Sequence, residues 1–514
     1  MRRVWPLLLA AGFALVVTLP LVRTTAAPGP QRGGTLVFAL LRPIATLDGH
    51  RGIAGSEHVF QWLIYDQLIR FDETGKPIPG LVESWSQPNP TTLILRLRPG
   101  VKFHDGSPLN AEAVKFNIER VLDPVTASAA RSEMSVIDRV EVVDDLSVQL
   151  VLKQPAADLL LQFSDRAGMM LSPAAVRRYG RDIARFGVGA GPFKVAEFVP
   201  GDRLVLDRNP DYWEQGRPYL DRIVFKIYTN PDTALLALRA GEVQIVQEVP
   251  GKDAGWIRHT QGLVYINWPT ERYLQFNMNR TKPPLDNVLV RRALAHAVDR
   301  RQIARLVYAG DATPVDGGIF PKGHWAYCPE VRNYPYNPAA ARTLLQQAGY
   351  GQGLSLEVSV QATFHNTRLF EIAQSMMERS GIKLVPVVSA GPEGFQGFFI
   401  EGKYNMRSGQ WAGRPDPSAT LFINFHSGGS QNAPVPQGGF KDPTLDRLIE
   451  QGRGVSDLAA RRSIYCEVQK IVTRDVHILA LAHETWSTAA LAEVGGLKPQ
   501  LLAKPLLREV WLVK

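Results

Sequence analysis

The spacing of hydrophobic residues changes near residue 272. Before it, short runs alternate apolar and polar residues, as in TLILRLR at 92–98, and this alternation is typical of β-strands. Segment 58–71 differs, because its apolar residues recur every three or four positions and predict a buried helix. Beyond residue 272 the patterns of helix and strand alternate, which predicts an α/β region. The predicted helices there are 288–309, 338–349, 366–379, 442–452 and 457–474, and the predicted strands are 354–360, 382–388 and 404–408.

A chain of 514 residues is long enough for more than one hydrophobic core. We predict that residues 32–271 form a first lobe, which includes an extra β-rich subdomain at about 60–190. Residues 272–486 form an α/β second lobe. The strand-like end of the chain resembles its opening region, so we expect residues 487–514 to return to the first lobe.

The N-terminus has the layout of a secretory signal. Arg2 and Arg3 precede an uncharged run over 4–22, and small residues follow at 24–27, where a signal peptidase could cleave. We therefore expect residues 1–26 to be a signal peptide and the protein to be exported to the periplasm. An uncleaved anchor is the alternative.

Composition and charge exclude some classes of function. Apolar residues make up 45% of the chain and charged residues 21%, as in ordinary globular proteins. The net charge is +9, but lysine and arginine are scattered, so we expect no nucleic-acid partner. Cys328 and Cys466 are the two cysteines. They could pair in an oxidising compartment or remain as free buried thiols, and their spacing does not decide between the two.

Motifs for catalysis and for metal binding are missing from the sequence. It contains no HExxH, Walker loop, CxxC or GxSxG, each of which would carry a recognisable chemistry. The ten histidines are dispersed, with no spacing typical of a metal site. We expect no catalytic residues, no metal and no cofactor, and this favours binding over turnover.

A recognition segment is predicted at 405–425. Trp411 precedes Arg414, and Asp416 stands between two prolines, which hold its backbone while the carboxylate can still point toward a partner. A carboxylate, a guanidinium and an indole suit a small zwitterion. A surface turn with an incidental tryptophan is the alternative reading.

Motifs along nearly the whole chain resemble the peptide/nickel-binding family of extracytoplasmic solute-binding proteins of ABC importers. The most specific block is LRPGVKFHDGSPLNAEAV at 97–114. The other matching segments are GGTL at 33–36, YDQL at 65–68, LVESW at 81–85, GPFK at 191–194, NPDYW at 209–213, AGEV at 240–243, VRRAL at 290–294 and AAARTLL at 339–345.

The resemblance implies a two-lobe periplasmic-binding-protein fold of the α/β class, with a hinge that closes on ligand. It implies a monomer that delivers short peptides or peptide-like amphoteric solutes to the membrane subunits of an ABC permease. Asp416 would hold the ammonium group of the ligand and Trp411 would wall the pocket. Dipeptide-binding relatives place an arginine after the strand that here ends at 361–363, and this chain has none there. Arg407 or Arg414 would then bind the carboxylate.

Two other functions stay open at this stage. An oligosaccharide receptor of the same fold would use the aromatic platforms of Trp411, Trp486 and Trp268, and we include Trp486 among the expected ligand-binding residues. A secreted hydrolase would need a catalytic cluster that the sequence does not show.

Overall fold

The computed structural model describes residues 29–51, 57–128, 130–389, 391–414, 416–432, 439–498 and 505–513. The expected signal peptide lies outside these residues, as does part of the expected C-terminal return. Within the described ranges, no helix has both the length and the apolar character needed to cross a membrane.

The first part of the chain forms eleven strands and eight helices within the described residues. The strands are β1 Thr35–Leu40, β2 Ile69–Phe71, β3 Pro77–Pro79, β4 Val82–Asn89, β5 Thr92–Leu97, β6 Ile137–Asp144, β7 Ser147–Leu152, β8 Phe193–Val199, β9 Arg203–Arg208, β10 Arg222–Ile227 and β11 Ile245–Gln247. The helices are α1 His58–Ile64, α2 Ala111–Leu122, α3 Arg131–Met134, α4 Leu159–Gln162, α5 Pro173–Tyr179, α6 Ile183–Phe186, α7 Pro231–Arg239 and α8 Ala254–His259.

The second part alternates strands and helices. The strands are β12 Leu263–Met278, β13 Ala312–Pro314, β14 Leu354–Gln361, β15 Ile382–Ser389, β16 Met406–Trp411, β17 Leu479–Leu491, β18 Val494–Gly495 and β19 Trp511–Leu512. The helices are α9 Val288–His296, α10 Arg300–Val307, α11 Pro338–Gln347, α12 Phe364–Glu378, α13 Gly391–Phe395, α14 Pro417–Phe425, α15 Pro443–Gly454 and α16 Leu458–Arg474.

One large sheet runs through the molecule in the order β15-β14-β16-β12-β17-β11-β1-β10-β9-β8. Its central strands, β12 and β17, pair with each other on both sides of an irregularity between Pro269 and Tyr273. On one side β17 pairs with β11, and on the other β12 pairs with β16. Two continuous strands therefore join two halves of the sheet, which is the two-lobe α/β fold with a hinge. Below, lobe one is the half with β1 and β8–β11, and lobe two is the half with β14–β16.

Each lobe has its own hydrophobic core. In lobe two, α9, α11 and α12 cover one face of the sheet, with residues such as Leu294, Leu356 and Leu369 fully buried. In lobe one, a separate four-stranded sheet of order β4-β5-β7-β6 packs against α2 and forms the β-rich subdomain. Each lobe thus buries a hydrophobic core of its own.

The structure differs from three sequence-based predictions. The helix expected over 58–71 ends at Ile64, because buried Asp66 accepts hydrogen bonds from Arg70 and Trp213 (2.7 and 2.8 Å to Oδ2) and the chain turns into β2. The helix expected over 288–309 is divided into α9 and α10. The strand expected over 505–513 is only β19, preceded by a 3₁₀ turn.

The division of the long helix has a local cause. The carboxylate of Asp299 accepts a hydrogen bond from the backbone N–H of Gln302 at 3.0 Å, so Asp299 caps α10. An aspartate at this position satisfies one of the free N–H groups of a new helix. The cap therefore favours a second helix over continuation of the first.

The glycine-rich stretch 187–193 crosses α1 at close range. A Cβ atom on Gly189 would lie 2.2 Å from the Ile64 carbonyl oxygen, and one on Gly191 would lie 2.3 Å from that of Leu63. His104 stabilises this crossing through two hydrogen bonds. Its Nδ1 accepts from the Gly189 N–H (3.2 Å), and its Nε2 donates to the Gly191 carbonyl (3.0 Å). The bond that Nδ1 accepts requires a neutral ring, and burial lowers the pKa of His104 to about 4.

Neutral His104 makes folding stability depend on pH. The unfolded histidine binds a proton near its ordinary pKa of 6.5, whereas the folded one resists protonation down to about 4, so stability is lost as pH falls between these values. We expect the unfolding temperature to drop over this interval, and to drop less in His104→Asn, whose amide oxygen can still accept from Gly189. Equal pH profiles for the two proteins in calorimetry would contradict this role.

Cys328 and Cys466 form a disulfide across 138 residues of sequence. It joins the segment before α11 to α16, and so fastens two parts of lobe two. The question that the sequence left open is thereby answered, and the described residues contain no free cysteine.

Loss of this disulfide should lower stability by about 2–5 kcal/mol, because the unfolded chain regains the freedom of a long loop. We expect a reducing agent to lower the unfolding temperature of the wild-type protein. The matched control is the Cys328→Ser/Cys466→Ser variant, which should unfold at the lower temperature with or without reductant. An effect of reductant on that variant would contradict the assignment.

Candidate functional site

One face of β16 carries Arg407, Gly409 and Trp411 in a row. Trp411 packs into one hydrophobic core of lobe two, and Met406 on the opposite face packs into another. On the adjacent β12, Asn277 lies opposite Arg407, and Tyr273 lies opposite Trp411. The row begins beside the carboxyl end of the parallel strand β14 and ends with Trp411 at the carboxyl end of β16. Ligands of open α/β sheets bind outside the carboxyl ends of such strands.

Arg407 carries a half-buried guanidinium group whose described neighbours are uncharged. Its Nη2 lies 3.5 Å from Gln361 Oε1, and its guanidinium carbon lies 5.6 Å from the ring centre of Phe399. Burial lowers its pKa. Nε is buried without a hydrogen-bond partner, and Arg407 has no ion pair within the described ranges. A buried cation of this kind is costly unless an anion compensates it.

Trp411 and Arg414 form the next part of the row. Trp411 is 3% exposed, and its Nε1 donates to Thr420 Oγ1 at 3.3 Å. The guanidinium carbon of Arg414 lies 5.1 Å from the Trp411 ring centre. Its Nε is 3.7 Å from Glu133 on α3 of the β-rich subdomain. Arg414 therefore covers the indole and reaches from lobe two toward the first part of the chain.

Asp416 is fully buried at the start of α14. Its Oδ1 accepts hydrogen bonds from the Ser418 N–H at 2.8 Å and from Arg461 Nη2 at 2.6 Å. Although burial alone would lower the pKa of Arg461, its interactions with Asp416 and Tyr465 raise it above the ordinary value. Asp416 Oδ2 is buried and makes no hydrogen bond with the described residues. Asp416 thus already binds a cation of the protein, and only Oδ2 is left for a ligand ammonium group.

Trp486 lies in a different group, at the hinge. It stands opposite the buried Trp268, and the guanidinium carbon of Arg272 lies 5.9 Å from its ring centre. Arg272 Nε is 2.9 Å from Glu484 Oε2. Glu484 Oε1 accepts from the hydroxyl of Tyr308 at 2.8 Å and also from Gln410. Of the predicted residues, the structure places Arg414 over Trp411 and Asp416 at the start of α14, while Arg407 contacts Gln361 and Phe399. Trp486 lies apart from them, in a hinge cluster with Arg272 and Glu484.

Glu271 is a buried carboxylate that the sequence analysis did not identify. Its Oε1 lies 3.0 Å from His324 Nε2, while Oε2 is buried and makes no hydrogen bond with the part of the chain that the structure describes. A Cβ on Gly413 would lie 2.9 Å from the Glu271 Cβ, so Glu271 lies directly against the loop between Trp411 and Arg414. No motif marks it, because its position depends on the irregular pairing of β12 with β17.

Within the described residues, the side chains close enough together to hold a metal ion are Cys328, Glu330 and Cys466. The two sulfur atoms are bonded to each other in the disulfide, so they are not available as thiolates, which are the metal-binding form of cysteine. The group therefore does not fit a resident metal.

Comparison with known proteins identifies the family. Residues 76–432 match the model of the bacterial extracellular solute-binding proteins, family 5, middle region. This match covers most of the chain, and the chain belongs to this family. Its members are solute-binding proteins of ABC importers.

Three relatives illustrate the range of ligands. The glutathione-binding protein GsiB of Salmonella typhi is 32% identical over 445 residues, which cover 84% of this chain and 85% of that protein. The periplasmic binding protein DppA of Helicobacter pylori, solved with the peptide STSA, is 25% identical with a TM-score of 0.77, covering 94% and 99% of the two chains. AgaA of A. tumefaciens, solved with agropinic acid, is 26% identical with a TM-score of 0.75 and the same coverage.

The Asp416–Arg461 pair should be important for stability whatever the ligand is. Asp416→Asn keeps a good helix cap but leaves Arg461 as an uncompensated buried charge. We expect a loss of about 3–5 kcal/mol in the free energy of unfolding, measured with urea. The control is Asp202→Asn, which removes an exposed partner of Arg203 and should change stability little. Equal effects of the two substitutions would contradict the structural role of the pair.

Proposed function

We propose that the protein is the periplasmic receptor of an ABC importer that captures short peptides or peptide-like amphoteric solutes. It closes about β12 and β17 on the ligand, acts as a monomer without turnover, and delivers the ligand to the permease. Membership of the solute-binding family supports the receptor role. Relatives named for glutathione and solved with a peptide support a ligand that carries both charges.

The observation that carries the proposal is the state of Arg407. Arg407 is a partly exposed guanidinium whose described neighbours are uncharged. It would suit an anion, since its planar fork matches a carboxylate in two hydrogen bonds. Arg407 reaches Gln361 at the end of β14, where dipeptide-binding relatives are expected to place their arginine. Arg407, on the neighbouring strand β16, would thus bind the ligand carboxylate in place of the arginine that this chain lacks after β14.

The other predicted residues take subordinate roles in this proposal. Asp416 would accept the ligand ammonium group through Oδ2, while Oδ1 stays bonded to Arg461. Trp411 and Arg414 would form the wall between the two charged ends. Trp486 would be coupled to the ligand only indirectly, through Arg272 and Glu484 at the hinge.

The aromatic side chains give less support to an oligosaccharide receptor. Sugar rings pack on open aromatic faces, but here Arg414 lies over Trp411 and Arg272 lies over Trp486, while Trp268 is buried. Guanidinium groups over these rings are attracted to them, so a sugar would have to displace them. The peptide proposal needs no such rearrangement.

The first test is a thermal-shift screen with di- to pentapeptides, glutathione, opines, nickel–histidine and oligosaccharides. A ligand present at about 100 times its dissociation constant should add about 2.7 kcal/mol of stability. We expect the peptides or glutathione to raise the unfolding temperature. Stabilisation by oligosaccharides alone would contradict the proposed ligand class.

The role of Arg407 can be tested through the ligand as well as the protein. Arg407→Gln should weaken binding of a peptide acid about ten- to a hundred-fold, because one charge-assisted contact is lost. The C-terminal amide of the same peptide should bind wild-type protein equally weakly and should be little affected by the substitution. Calorimetric titration of the acid and the amide against the wild-type protein and Arg407→Gln gives four affinities. Together they give the coupling energy between Arg407 and the peptide carboxylate.

Arg368→Gln is the matched control, since Arg368 is an exposed arginine of lobe two paired with Glu371. It should leave the affinity for the peptide acid unchanged. If Arg407→Gln weakens the acid and the amide by the same factor, Arg407 does not bind the carboxylate.

A further inference from the structure

A cavity of about 460 Å³ lies between the β-rich subdomain and lobe two. Most of the side chains that line it are apolar, and both parts of the chain contribute to it. The lining residues are Pro77, Trp85, Ser86, Gln87, Leu93, Ala156, Ala157, Leu160, Leu161, Ser456, Leu458 and Arg461. We call this cavity the interlobe chamber. Its volume is in the range of small-molecule sites in proteins.

Contacts between the two parts close the chamber on one side. The N–H of Ala157 donates to the Arg453 carbonyl at 2.6 Å, and Arg453 Nε lies 3.5 Å from Asp158 Oδ2. Ser456 donates a hydrogen bond to Gln87. The chamber is therefore complete only when lobe two lies against the subdomain, so a group bound in it would favour the closed form.

The two arginines at the chamber are already paired within the protein. Arg461 donates to Asp416 and to the Tyr465 hydroxyl, and Arg453 is paired with Asp158. Burial raises the pKa of Asp158, and the nearby Asp416 raises it further against the opposing effect of Arg453. Among the described residues, both arginines at the chamber are thus paired, and neither is left for an anionic group. Asp158 Oδ1 and Asp416 Oδ2 make no hydrogen bond with the described residues, but neither aspartate is among the residues that line the chamber.

We propose that the interlobe chamber receives an uncharged apolar side chain of the bound ligand, of the size of leucine to tryptophan. The inference rests on the proposed peptide function and adds a preference for peptides with one large apolar residue. Continuity with the predicted ligand segment supports it, because Arg461 lines the chamber and bonds to Asp416. Trp85 provides an aromatic surface, and burial of apolar area provides the affinity.

The test compares Ala-Ala-Ala with tripeptides that carry leucine or tryptophan at one position, by calorimetric titration. In the wild-type protein we expect one position at which the large residue improves affinity about tenfold or more. Leu160→Trp, which fills the chamber, should abolish that preference while affinity for Ala-Ala-Ala changes less than about twofold. The matched control Leu236→Trp, at a 65% exposed position on α7, should keep the preference.

Ser86→Phe is a second filling variant, at an exposed residue of the chamber rim where folding is not at risk. It should act like Leu160→Trp. A preference that survives in both filling variants, or that is missing from the wild-type protein at every position, would overturn the chamber assignment while leaving peptide binding intact.

A probe that is not a peptide tests the chamber independently of the proposed peptide function. We expect 5-fluoroindole, observed by fluorine NMR, to bind the wild-type protein and Leu236→Trp but not Leu160→Trp. If no peptide binds and 5-fluoroindole shows this pattern, the proposed function fails and the apolar site stands. If 5-fluoroindole binds all three proteins alike or none of them, the chamber is not an apolar site.

Discussion

The pairing of β12 with β17 is the constraint on which the rest of the structure depends. These strands are continuous through the sheet, and each contributes to both lobes. Because each lobe has its own buried core, bending at the irregularity after Pro269 costs little buried surface. The strands therefore hold two rigid bodies in register and still allow the angle between them to change.

Buried charge near this hinge distinguishes two kinds of residue. Asp416 and Arg461 compensate each other within lobe two, so their interaction stabilises the fold and orients the start of α14. Arg407 has only neutral neighbours among the described residues. A buried pair is neutral, whereas a buried single charge leaves an unfavourable energy that a ligand of opposite charge can relieve. For that reason the proposed function assigns the ligand carboxylate to Arg407, which is partly exposed.

The sequence could predict much of the fold because its signals are local. Asn110 caps α2, and the Asn-Pro pair at 337–338 begins α11, as the capping rules indicate. The resemblance to the family then predicted the two-lobe arrangement, which the comparisons and the sheet order confirm. The tight glycine crossing was also predictable, since few other residues allow such close backbone approach.

The site could be predicted only in part, for a physical reason. The segment around Trp411 was recognisable from its composition, but the partner of Asp416 lies 45 residues away on α16. Whether Arg407 has charged neighbours, and whether Glu271 is buried, depends on which strands become neighbours in the sheet. Likewise, the spacing of Cys328 and Cys466 carried no information about their pairing. Partners that meet only through tertiary structure leave no pattern in the sequence.

The central claim is that the lobes close on an amphoteric ligand by bending at β12 and β17. Small-angle X-ray scattering with and without a saturating peptide, chosen by the thermal-shift screen, tests it most directly. We predict a larger radius of gyration without ligand, and a ligand-bound curve that matches the structure described here, in which Arg453 and Ala157 join the two parts of the molecule. Identical scattering curves with and without bound peptide would contradict the account.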